Sequence, residues 1–115
     1  GVQIAKEYAD DADTFSKKIY DVIGSGVGII ESVPAAISIA YYTQDPNECC
    51  LMCANLGGDT DTIGAMATAI CGAFTGYSKI NPEYTELLRV QNSETDFDEY
   101  INILKKGREL AGCGR

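Results

Sequence analysis

The stretch Asn55-Leu56-Gly57-Gly58-Asp59-Thr60-Asp61-Thr62-Ile63-Gly64 decides how this chain is read. Two glycines free the backbone to turn, because glycine takes positive φ at little cost. Two carboxylates and two hydroxyls then arrive within four residues, at the mouth of a segment rich in small residues: Gly64, Ala65, Ala67, Thr68, Ala69, Gly72 and Ala73. Asp and Thr are favoured helix N-caps, so a turn followed by a cap is the plain reading. Two observations go beyond it. One helix needs one cap, yet four capping residues are offered. Asp59 and Asp61 also repel each other if both face one point, unless something positive lies between them. Carboxylate and hydroxyl oxygens are hard ligands, suited to Mg²⁺, Mn²⁺ or Ca²⁺ rather than to zinc or copper. Two carboxylates and a hydroxyl do not fill a six-fold shell. Water or another segment must supply the remainder.

Outward from this loop the chain reads as helices. Residues 63 to 75 form the small-residue helix, which Gly76 ends. Two interior glycines each cost roughly 1 kcal/mol against alanine, and a close neighbouring backbone would explain them. Upstream, Asp45-Pro46-Asn47-Glu48 starts a helix to about Leu56, with Asp45 as cap and Pro46 in the first turn. Pro34 starts another through Ala35 to Thr43, apolar nearly all round and therefore central. Gly24-Ser25-Gly26-Val27-Gly28 separates it from a first amphipathic helix over residues 3 to 23, whose apolar face is Ile4, Tyr8, Ala12, Phe15, Ile19 and Ile23. Downstream, Asn81-Pro82 starts a helix with Tyr84, Leu87 and Leu88 on its apolar side. A last helix, near Asp96 to Leu110, would bury Phe97, Tyr100, Ile101 and Leu104. The tail from Gly112 to Arg115 is expected to fray. No segment alternates with period two. The expected fold is all-α, about six helices with short loops.

Composition narrows the partners. The 115 residues are 45% hydrophobic and 23% charged, which suits one folded domain or less and argues against disorder. Seventeen acids against nine bases leave a net charge of −8, which argues against nucleic acid or an anionic membrane as partner. The longest apolar stretch is shorter than the ~20 residues of a membrane span, and the N-terminus carries no secretory pattern. Five cysteines at irregular spacing make no disulfide framework, which points to a reducing, cytoplasmic setting. Cys50-Leu51-Met52-Cys53 is a Cys-x-x-Cys inside a helix, without the strand that a redox motif follows and without histidine to complete a zinc site. Packing thiols are the better reading, and a thiol-based module the weaker alternative. Asp10-Asp11-Ala12-Asp13-Thr14 echoes the central loop, but adjacent helical residues point in different directions, so these acids are read as a solvated face.

Gly57-Gly58-Asp59-Thr60-Asp61-Thr62-Ile63-Gly64-Ala65, followed by a helix ending Gly72-Ala73-Phe74-Thr75-Gly76, resembles the C-terminal signature of the ADP-ribosylglycohydrolase family. Glu31-Ser32-Val33-Pro34-Ala35-Ala36 is similar to the segment before it, and the order of elements agrees over roughly residues 22 to 90. The resemblance implies an all-α, two-ion Mg²⁺ or Mn²⁺ hydrolase. It would cleave the glycosidic bond that joins ADP-ribose to a protein side chain or a small molecule. It makes Asp59, Asp61 and Thr62 metal ligands, with Asp61 shared between the ions. It also places Gly24, Ser25, Gly26 and Val27 near the adenosine part of the ligand.

The family's other metal ligands lie in an N-terminal Thr-Asp-Asp, in the region that also carries its catalytic glutamate. Thr-Asp-Asp does not occur in this sequence; Asp10-Asp11 follows Ala9. Residues 1–115 are therefore expected to be the C-terminal portion of such a domain, with no catalytic residue of their own and negligible activity alone. The expected partners are the missing N-terminal portion or another copy of the chain, besides the ADP-ribosylated substrate. The alternative is a non-catalytic helical module from the same family, structural or cation-binding.

Overall fold

Asp11 divides what periodicity alone reads as one long first helix. In the computed structural model, which describes residues 1–112, α1 spans Val2–Glu7 and α2 Ala12–Lys18. The Asp11 carboxylate accepts the Thr14 N–H at 3.0 Å and the Thr14 hydroxyl at 2.5 Å, so it caps a new helix. This corrects the single helix over residues 3 to 23, whereas Asp10, Asp11 and Asp13 are exposed, as expected of a solvated face. The apolar side survives the break because both short helices lie on the same core. Phe15 and Ile19 are fully buried in the core and Ile4, Tyr8 and Ile23 pack against that core, whereas Ala12 faces solvent. A π-turn at Ile19–Ile23 ends the segment, with the Gly24 N–H reaching back to the Ile19 carbonyl at 2.9 Å.

The next helix, α3, runs Ile29–Thr43 and starts earlier than Pro34 suggested. Gly28 is its N-cap and Pro34 falls in the second turn. The missing proline N–H leaves the Ile30 carbonyl without its usual donor. Ile30 is 86% exposed, so water can satisfy that carbonyl. The α4 helix, Pro46–Leu56, begins as read: the Asp45 side chain accepts the Asn47 N–H at 2.9 Å and Pro46 takes the first turn. Asn47 also ties down a short 3₁₀ turn, Tyr77–Lys79, by donating to the Lys79 carbonyl at 2.8 Å and accepting the Asn81 N–H at 2.7 Å.

Between these lies α5, Thr60–Thr75, which packs along both α3 and α4. Its buried side is Ile63, Ala67 and Cys71; with Ile39 of α3 and Cys49 and Cys53 of α4 they form the centre of the core. Neither interior glycine is demanded by a close neighbour: a Cβ on Gly64 would meet the Cys53 Cβ of α4 at 3.4 Å, about ordinary contact, and nothing lies within 4 Å of a Cβ on Gly72. The opposite side of α5, with Ala65, Ala69, Ile70, Ala73 and Phe74, is exposed.

The chain divides after Asn81 into two units. The second carries α6, Pro82–Gln91, and α7, Phe97–Leu110, the latter capped by Asp96, which accepts the Glu99 N–H at 3.0 Å. Arg89 and Asp98 pair at 3.3 Å on its surface. The expected burial of Phe97, Tyr100, Ile101 and Leu104 is not realised. Leu104 is 72% and Leu87 58% exposed, and neither helix contains a buried residue. Two helices cannot surround each other's side chains, so correct amphipathic patterning does not produce a core. The expectation for the tail at residues 113–115 lies outside the described residues. Among the described residues there is no strand and no helix long and apolar enough to cross a membrane. The fold is all-α, with seven α-helices among the described residues instead of the expected six.

Candidate functional site

The helix that carries the acidic loop begins at Thr60, three residues earlier than read. Asp59 therefore occupies the N-cap, and Asp61 and Thr62 fall in the first turn. The N-cap position tests the plain structural reading directly. The Asp59 side chain makes no capping hydrogen bond. It lies instead beside Asp61, whose carboxyl is held below the usual carboxylate range. A hydrogen bond with the Asp59 side chain is the main cause, followed by the backbone N–H groups of Thr62 and of Asp61 itself. Two carboxyl groups this close form an oxygen-rich spot that a cation would suit. Asp61 and Thr62 are exposed and Asp59 is half-buried, so the pair is open to ligand from one side. Among the described residues no three His, Cys, Asp or Glu side chains are grouped to hold a metal ion.

The glycine-rich segment before α3 meets this loop directly. Asp59 N–H donates to the Ser25 carbonyl at 2.6 Å. Gly58, at φ +79°, makes the approach possible: an added Cβ there would fall on the Ser25 carbonyl oxygen and lie 2.9 Å from its carbonyl carbon. Ser25 is only 4% exposed, while Gly24 and Gly26 are half-buried and Val27 is exposed. Of Gly24, Ser25, Gly26 and Val27, it is Ser25 that touches the loop holding Asp59, Asp61 and Thr62, through Gly58 and the Asp59 N–H. On the other flank, Gly57 at φ +89° lies against the Tyr20 ring, 3.3 Å from an added Cβ.

One participant escaped the sequence. The Glu31 carboxylate lies against the glycine segment, where a Cβ on either Gly24 or Gly26 would collide with it. Glycine marks close backbone approach in general, but nothing in the spacing says which side chain is the neighbour.

The cysteines lie apart from the acidic loop's ligand-bearing side. Cys49, Cys53 and Cys71 are buried and Cys50 is exposed, so Cys50 is no packing thiol and the Cys-x-x-Cys does not present both sulfurs together. Burial pushes the Cys71 thiol up. Cys49 is raised far, mainly by its hydrogen bond with Cys53 and then by burial; the same bond lowers Cys53. That pattern describes a buried pair in which Cys49 keeps its proton.

Comparison with known proteins agrees with the resemblance. The uncharacterized protein YegU of Escherichia coli (strain K12) is 50% identical over 102 residues, covering 88% of this chain and 30% of YegU. ADP-ribosylhydrolase ARH3 of Homo sapiens is 32% identical over 101 residues, 78% of this chain and 28% of ARH3. ADP-ribosylarginine hydrolase Tri1 of Serratia proteamaculans (strain 568) is 30% identical over 91 residues, 79% of this chain and 25% of Tri1. The chain thus spans less than a third of the length of each of these relatives. No solved structure gives a significant match. The family model for ADP-ribosylglycohydrolase matches residues 2–112, wider than the 22–90 on which the quoted motifs lie, and the chain belongs to that family.

Proposed function

We propose that Asp59, Asp61 and Thr62 are one side of a divalent-cation centre. On this reading the chain is the C-terminal portion of a domain that hydrolyses the glycosidic bond of ADP-ribosylated protein or an ADP-ribose-containing small molecule. The observation that carries the proposal is the Asp59 side chain, which leaves the helix uncapped and lies against Asp61. Capping, the simplest use of an aspartate at that position, is not what it does. The substrate class rests on family membership and on relatives named as ADP-ribosylhydrolases.

The donor set is hard oxygen, which fits Mg²⁺ or Mn²⁺, and two such ions are proposed for the intact domain. When bound, they would supply Lewis-acid polarisation and a template for the ribose hydroxyls. The chain's own residues hold charge and shape. Asp61 stays anionic through neutral pH because its hydrogen bonds favour the charged form. Positive potential at the start of α5 opposes a cation, and the second carboxylate, Asp59, offsets it. The Ser25 carbonyl fixes the backbone of Asp59, so the loop does not need a ligand to set its path. Gly24, Ser25, Gly26 and Val27 face the adenosine part of the ligand on this reading, Gly24 and Gly26 as bare backbone and Val27 with an exposed apolar side chain. The remaining ligands and the general base come from the N-terminal portion or a partner chain. The reducing, cytoplasmic setting belongs to the same reading and rests on unpaired Cys49, Cys50, Cys53 and Cys71.

The test compares Mn²⁺ binding and hydrolysis of ADP-ribosylated substrate in the intact protein and in the isolated 115 residues. Metal-dependent turnover by the intact protein alone is expected, with Asp61→Asn losing both Mn²⁺ and activity. Turnover by the isolated chain would overturn the half-site. Unchanged Mn²⁺ binding in Asp61→Asn would overturn the metal assignment.

A further inference from the structure

We propose that Glu31 is a positioning residue, whose carboxylate, laid across Gly24 and Gly26, sets the path of the loop that carries the Ser25 carbonyl under Asp59. The inference deepens the reading of Asp59 and Asp61 as cation ligands, and rests on it. Three contacts in series make the connection. Glu31 lies in the first turn of α3, its own N–H donating to the Gly28 carbonyl at 3.0 Å, so its backbone is fixed just past the loop. Its carboxylate reaches back over the loop. A Cβ on Gly24 would fall on Oε1 and lie 2.9 Å from Cγ; a Cβ on Gly26 would fall on Oε2 and lie 3.4 Å from Cδ. Ser25, between those glycines, is buried against Gly58 and accepts the Asp59 N–H at 2.6 Å. The Ser25 peptide is therefore flanked by two glycines that the Glu31 carboxylate covers, and is bonded to the acidic loop on its other side. Its displacement moves Asp59, because the hydrogen bond is short and direct.

This geometry assigns distinct roles to the glycines. Gly24 has φ +93°, so backbone conformation alone requires glycine there. Gly26 is not among the positive-φ glycines, so its backbone accepts alanine. What excludes a side chain at Gly26 is the Glu31 carboxylate, the mobile end of a long side chain that can swing away. Gly26→Ala is thus a folded variant that dislodges the carboxylate without touching Glu31.

The experiment is a double-mutant cycle on the intact protein, read as the Mn²⁺ dissociation constant by calorimetry, with thermal unfolding of the metal-free forms alongside. Glu31→Ala and Gly26→Ala should each weaken Mn²⁺ on the order of tenfold, the scale for loss of a support behind a metal ligand. The double variant should be no worse than either single one, since both remove the same contact. Glu31→Gln, which keeps the shape, should bind within about twofold of wild type. Glu31→Asp keeps the charge but draws it off the glycines, and should behave like Glu31→Ala; it serves also if the alanine variant fails to fold. A generally loosened fold would lower the thermal midpoint in step with affinity and would not spare Glu31→Gln. Wild-type affinity in Glu31→Asp, or an additive loss in the double variant, overturns the positioning role. Asp61→Asn in the same series separates the two proposals: if it too binds Mn²⁺ normally, the cation centre itself is wrong.

Discussion

Gly58→Ala should destabilise the first unit more than Gly76→Ala does, and the difference measures how firmly the acidic loop is seated on Ser25. The two glycines flank α5 and share a backbone sign, φ +79° and +89°. Each loses the same freedom in the unfolded chain when changed to alanine, so that term cancels. Each also suffers backbone strain of about 1–3 kcal/mol. Their surroundings differ sharply. Nothing lies within 4 Å of a Cβ at Gly76, whereas at Gly58 it would fall on the Ser25 carbonyl oxygen. Backbone on both sides leaves no flexible group to swing away. The loops must separate, and the Asp59 N–H bond to a carbonyl in a 4% exposed residue is lost or stretched. Leaving such a group unsatisfied costs about 1–3 kcal/mol. Gly76→Ala is therefore expected to lose about 1–3 kcal/mol and Gly58→Ala about 2–6 kcal/mol in urea unfolding followed by circular dichroism. Equal losses in the two variants would refute the contact between the loops.

Three further outcomes are expected. Mn²⁺ should raise the thermal midpoint of the intact wild-type protein, by the equivalent of about 2.7 kcal/mol at a hundred times the dissociation constant; Asp59→Asn should abolish that rise without lowering the metal-free midpoint, because the amide can still donate a hydrogen bond to Asp61. The Asp11 carboxyl is held below its ordinary value, first by the Thr14 hydroxyl and then by the Thr14 N–H. Its folded pKa is the lower one, so its cap is fully present above the unfolded value and is lost as pH falls through the folded value. Protection of the Thr14 amide, relative to its intrinsic exchange rate, should fall as pH drops below the ordinary aspartate value of about 3.9, and Asp11→Asn should flatten that dependence. Iodoacetamide followed by peptide mapping should label Cys50 in the folded protein and reach Cys49, Cys53 and Cys71 only on unfolding, since those three are buried.

Much of the fold was legible because helix signals are local. Asp45-Pro46 announces α4, Gly76 ends α5 with φ +89°, and Asp96 caps α7, each through bonds within four residues. The errors fall where a local signal competes with another or where burial needs a third body. Asp11 offers a cap in the middle of an unbroken apolar period, and the cap prevails because neither short helix loses its place on the core. Pro34 reads as a helix start, yet it is tolerated in the second turn because the carbonyl it deprives is near solvent. The apolar sides of α6 and α7 are correctly patterned, but pattern states what a helix would bury, not whether anything covers it.

The candidate site divides in the same way. The sequence by itself determined the ligand chemistry: two carboxylates and a hydroxyl at the start of a small-residue helix, with glycines before them. Family resemblance attached those residues to a reaction. Only the tertiary structure decided that Asp59 leaves its helix uncapped and turns to Asp61, that the glycine segment supports the loop through Ser25, and that Glu31 lies across that segment. The Ser25 contacts join residues 33 and 34 positions apart, and the others depend on a side chain turned toward a neighbour or a backbone bent back toward it. A sequence records which atoms are available, and chain topology selects which of them meet.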